Sequence, residues 1–169
     1  MDPALQRLQQ AIQSEITGMS AEQLRWHPPG KWCAAEVLEH LYLTYTGTIK
    51  GCERVIDARK PVARAATWAD RGRTFVVVGI GYLPSGRQAP SVARPNGLPA
   101  EKVLGEILTK IADMDDIIGR CEDEFGAGKL LDHPILGPLT GAEWRKFHVV
   151  HGLHHVKQIR RLREAAARG

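Results

Sequence analysis

Apolar residues recur along this chain at intervals of three and four, separated by stretches that cannot continue a helix. Over residues 3–17, Leu5, Leu8, Ile12 and Ile16 fall on one helical face, with Asp2 placed to cap the start and Pro3 at the first helical position. After MSAEQLRW, which suits a short helical turn, HPPGKW breaks the chain. The segment CAAEVLEHLYLTYTGTIKGCERVIDARK then reads as a longer second helix that ends before Pro61. Val103, Ile107, Ile111, Met114 and Ile118 mark a third helix from Pro99 to about Phe125. The fourth starts at Thr140, where Thr140 and Glu143 have capping-box spacing, and runs to about Ala167.

Between these helices lie two stretches of different character. Residues 61–98 are rich in Gly, Pro and Arg, and the segment is too long for an ordinary link between neighbouring helices. Its run FVVVGIGYL fits a strand or a short helix equally well. GAGK lacks the rest of a phosphate-binding loop and reads as a helix terminator, followed by a loop containing HPILGP. With no internal repeat and little strand signal, the pattern predicts an all-α protein, a four-helix bundle of one domain spanning residues 1–169. The long crossover between the second and third helices implies that those two run parallel.

Composition narrows the classes. Of 169 residues, 43% are hydrophobic and 25% charged, as in an ordinary folded domain. No apolar run approaches the roughly 20 residues that cross a bilayer, and residues 1–20 lack a basic start followed by an apolar core, so the expected location is the cytoplasm. Cys33, Cys52 and Cys121 are odd in number and widely spaced, which argues for reduced thiols rather than disulfides or a zinc ribbon. The net charge of +4 is modest. Lys157, Arg160, Arg161, Arg163 and Arg168 gather where cations favour a helix C-terminus, and they do not by themselves indicate nucleic acid.

Candidate chemistry is concentrated in HVVHGLHHVKQIR, which holds four of the seven histidines. His151 and His155 are one turn apart, and Trp144, His148, His151, His155, Ile159 and Leu162 share a sector opposite Arg145, Lys146, Lys157, Arg160 and Glu164. Unpartnered imidazoles on a core-facing stripe cost several kcal/mol. A divalent metal held at about 2 Å would compensate, as would hydrogen bonds or water, so the pair alone leaves both readings open. His40 is the candidate third donor, on a helical face with Cys33, Val37, Thr44, Gly47 and Gly51. His148 suits a cavity wall, an outer-shell or acid–base role, or plain packing. Glu36 suits a general base, an outer-shell partner, or a carboxylate favourable in a helix's first turn. His154 and Gln158 suit an interface, whereas His27 and His133, each before a proline, suit loops.

The segment KWCAAEVLEHL at 31–41, Trp144 and the HGLHHVKQI run at 151–159 together resemble the DinB/YfiT-like superfamily, and PSGRQAP and HPILGPLTGAEW look like one branch of it. The resemblance spans nearly the whole chain. It implies an up-down-down-up four-helix bundle, frequently dimeric, with a metal held by His40, His151 and His155. Relatives that use low-molecular-weight thiols place Glu where this chain has His151. The metal expected on such donors is zinc or nickel, with iron or manganese as further options.

Three neutral ligands would leave an open position for water, so the expected function is a metal-dependent hydrolase acting on a small molecule. The alternatives are a thiol-dependent transferase or isomerase, and a binding protein that the metal merely stabilises. Val149, Val150, Leu153 and Val156 make the fourth helix apolar on its other faces too. That predicts a homodimer, unless residues 61–98 cover the surface.

Overall fold

A computed structural model describes residues 1–84 and 88–168. Six α-helices occur among them: α1 (Pro3–Ile16), α2 (Ala21–Arg25), α3 (Ala34–Asp57), α4 (Trp68–Thr74), α5 (Ala100–Phe125) and α6 (Gly141–Ala166). A π-helical turn at Phe75–Gly79 prolongs α4, a 3₁₀ turn covers Ser91–Ala93, and strands β1 (Lys129–His133) and β2 (Gly137–Thr140) form an antiparallel hairpin.

Local chemistry accounts for the helix starts. Asp2 accepts hydrogen bonds from the Ala4 and Leu5 amides at 2.7 and 3.2 Å, and the capping boxes Ser20/Gln23, Thr67/Asp70 and Thr140/Glu143 open α2, α4 and α6. Gly126 ends α5 at φ 74°, a conformation that disfavours any side chain.

The protein is mostly helical, as expected, but the expectation of helices alone needs correction. The loop expected around HPILGP is a β-hairpin, because Leu130, Leu131, Leu136 and Leu139 bury their side chains against the helical core while a register irregularity between Lys129 and Leu131 disrupts strict alternation. Its Gly137 is obligatory: φ is 80°, and an added Cβ would lie 2.5 Å from the Asp70 carboxyl carbon. FVVVG is helical, since it continues α4 with Val77 and Val78 buried together and Phe75 exposed. Within PSGRQAP, residues 85–87 lie outside the described residues.

One apolar cluster joins Leu5, Leu8 and Ile12 of α1 with Leu38, Leu41 and Tyr45 of α3, Ile107, Ile111 and Ile118 of α5, and Phe147 and Ile159 of α6. Burying side chains of this size stabilises the fold by about 1.5–3 kcal/mol each. The 61–98 segment is tied down at both ends. At its start the Val62 amide donates to the Leu130 carbonyl at 2.9 Å, and within the segment Asp70, with a side chain 2% exposed, pairs with Arg64 and Arg73, each at 2.6 Å. Arg64 and the Thr67 hydroxyl hold its carboxyl well below the usual carboxylate range. At the other end, buried Glu39 accepts from the amides of Asn96, Gly97 and Leu98 at 2.7, 3.3 and 3.1 Å. The segment therefore lies across α3 and α6, and its π-helical turn packs on α6. No described helix is long and apolar enough to cross a membrane.

Candidate metal centre

α3 and α6 bring three imidazoles to one point. His40 Nε2 lies 3.0 Å from His151 Nε2, and His155 Nε2 lies 3.2 Å from the same atom. The ligand atoms of the three residues all lie within 4.8 Å of one another. Their side chains are at most 9% exposed.

Hydrogen bonding fixes which nitrogens carry protons. The Ala93 carbonyl can only accept, so at 2.6 Å from His40 Nδ1 it requires the proton on Nδ1 and leaves a lone pair on Nε2. Gln158 Oε1 likewise accepts from His155 Nδ1 at 2.9 Å, freeing the second Nε2. His151 Nε2 then faces two lone pairs and can donate to only one of them. A cation at the convergence of the three nitrogens removes that conflict, and the donor set suits a divalent transition metal.

Electrostatics keep the cluster in its ligating form. Burial lowers the pKa of His40, burial and the His40 ring push His155 down to about 3, and burial with the neighbouring histidines takes His151 well below its ordinary value. All three are neutral at neutral pH, so a metal need not displace protons.

The cluster forms part of the wall of a cleft of about 1550 Å³, with Trp32, Thr44, Trp144, Phe147, His133 and His154 among its other lining residues. The remaining sequence candidates separate. Glu36 accepts from the Cys33 amide at 2.8 Å at the start of α3 and does not line the cleft. His148 is sealed at 0% exposure; its Nε2 meets the Thr48 hydroxyl at 2.9 Å and its ring stacks on Trp144. Burial pushes it down to about 3. Gln158 orients the His155 ring. His27 stays in an exposed loop, its Nδ1 beside the Pro28 carbonyl.

Sequence reasoning missed three contributors. The Ala93 carbonyl has no side-chain signature, Thr48 is one of several threonines on α3, and His133 passed as a loop residue although it turns its ring into the cleft wall.

Fold and site together define a mostly helical protein with a buried three-histidine cluster that could hold a metal ion. The chain belongs to the family described as "Protein of unknown function (DUF1569)", whose model matches residues 2–162. No curated protein and no solved structure gives a significant match.

Proposed function

We propose that this protein binds a divalent transition metal through His40, His151 and His155 and hydrolyses a small molecule in the adjoining cleft. The observation that carries the reading is the convergence of three Nε2 atoms, two with lone pairs fixed by their hydrogen bonds, on the wall of an open cavity. Zinc or nickel suits these donors best, with iron or manganese next.

A bound ion would supply Lewis acidity, polarising a substrate carbonyl or acidifying a coordinated water. The chain supplies the rest. Ala93 and Gln158 hold the His40 and His155 rings so that their Nε2 atoms converge on that of His151. Trp32, Trp144 and Phe147 give the cleft an aromatic wall against which the apolar part of a small molecule would pack. Because the cluster opens on a cleft, a reacting molecule has access, which favours catalysis over a purely structural ion. The same reading includes the up-down-down-up arrangement of α1, α3, α5 and α6, kinship with DinB/YfiT-like proteins, and a homodimer.

Metal analysis of purified wild-type protein and of His40→Ala and His151→Ala variants tests the site. A single ion per wild-type chain and none in the variants is expected. Equal metal content in all three would refute it. Zinc-loaded protein is then assayed on a panel of small amides and esters, with light scattering for the dimer. Metal-dependent turnover supports hydrolysis, whereas tight metal binding without turnover of any panel member supports the binding-protein reading.

A further inference from the structure

His133 closes β1 and heads the turn into β2. Its Nδ1 accepts from the amides of both Ile135 and Leu136, each at 3.1 Å. Two backbone donors on one nitrogen fix the lone pair there, so the neutral ring carries its proton on Nε2. That second nitrogen has no protein partner among the described residues, and it is not one of their sealed, unpartnered polar atoms. The residue lines the cleft, and Nε2–H, neither bonded nor sealed, is open to a partner held there. Burial pushes this histidine down to about 4, which keeps it a neutral donor across the physiological range.

Its position relates it to the three-histidine cluster. Phe147 stacks on His151 with ring centroids 5.2 Å apart and planes 13° apart, and meets His133 edge to face at 4.4 Å. A single aromatic ring thus separates the outward-facing donor from the cluster. A small molecule engaged at the cluster would reach His133 by spanning that ring.

We propose that His133 is a substrate-binding residue whose Nε2–H donates to an acceptor oxygen at the far end of the molecule that meets the three-histidine centre. The inference rests on the metal-centre reading and extends it to a substrate class: short bifunctional molecules with one oxygen group for the metal end and a second, such as a carboxylate or carbonyl, one ring-width away. A tautomer locked by the backbone offers a donor and never an acceptor. The site therefore discriminates against an analogue ending in a methyl group.

The test uses zinc-loaded protein with succinate and butyrate, which share one carboxylate and differ at the other end. Asparagine at position 133 keeps an oxygen near the Ile135 and Leu136 amides but is too short to reach into the cleft. Calorimetry is expected to show that wild type prefers succinate and that His133→Asn reduces this preference by about fivefold to tenfold, with zinc content unchanged. In wild type, the His133 Nε2–H resonance should shift with succinate and stay put with butyrate; this measurement decides the matter if the variant fails to fold. A preference that is absent from wild type or intact in the variant overturns the role of His133 while leaving the metal site standing. If wild type holds no zinc, the metal-centre reading falls and this inference falls with it.

Discussion

Acid should unfold the metal-free protein at an unusually mild pH. Four imidazoles, His133, His148, His151 and His155, have folded-state pKa values pushed down by burial, to about 4 for His133 and about 3 for His148 and His155, and well below the ordinary value for His151. In the unfolded chain each returns to about 6.5. Above that value both states are neutral and nothing is lost. As pH falls below it the unfolded chain takes up protons that the folded chain refuses, so stability declines down to the folded pKa. At about pH 5 each group has cost ~2 kcal/mol and the four together ~8 kcal/mol, against a typical total of about 5–15 kcal/mol. Low-pKa carboxylates such as Asp70 and Glu143 act only at lower pH and do not offset this. The assay is urea unfolding followed by circular dichroism, from pH 7 down to about pH 5, on chelator-treated and zinc-loaded protein. Zinc, which binds the neutral rings, should move the loss to lower pH. A chelator-treated protein whose stability at about pH 5 stays within ~1 kcal/mol of its pH 7 value would refute the reasoning, since ~8 kcal/mol is required.

Three further substitutions probe the surroundings of the cluster. In Gly152→Ala the new Cβ would lie 2.6 and 2.7 Å from the two Cδ atoms of fully buried Leu8. Overpacking should exceed the gain in helix propensity by about 1–2 kcal/mol, a fall of roughly 2–8 °C in a thermal scan. Thr48→Val leaves both nitrogens of sealed His148 without a protein partner, since Nδ1 already has none, and should cost about 1–3 kcal/mol in urea unfolding. Glu39→Gln sets an amide NH₂ against backbone N–H groups at 96–98; it should cost about 1–3 kcal/mol and weaken zinc roughly tenfold in a chelator competition, although Glu39 is not a ligand.

The parts of the fold that were legible in the sequence are those whose information is local. The observed bounds of α1, α3, α5 and α6 fall close to those expected from apolar spacing, Pro3, the Thr140/Glu143 box and Gly126, because caps and 3.6-residue periodicity act within a few residues. The hairpin was hidden. Three of its leucines sit in a strand pair with irregular register and Leu136 in the turn between, and what bars a side chain at Gly137 is the distant Asp70 packed against it. FVVVG is undecidable from its own residues and becomes helical as an extension of α4 packed on α6.

The site divides along the same line. An i, i+4 pair is a local fact, and so His151 and His155 were visible; His40 followed from sharing an inward face with small residues. Gln158 orients His155 from one turn away, but the orientation of His40 is not local and depends on the crossover segment. Ala93, 53 residues beyond His40, directs that histidine's Nε2 toward the cluster. Glu39, the next residue back on α3, grips the same segment at 96–98. Two neighbours on one helix thus hold one segment, one by receiving its amides and the other by donating to its carbonyl. Because the segment also contributes Val76, Val77, Leu83 and Val92 to the cleft wall, the lining that meets a small molecule and the orientation of a ligating histidine are coupled through the same backbone.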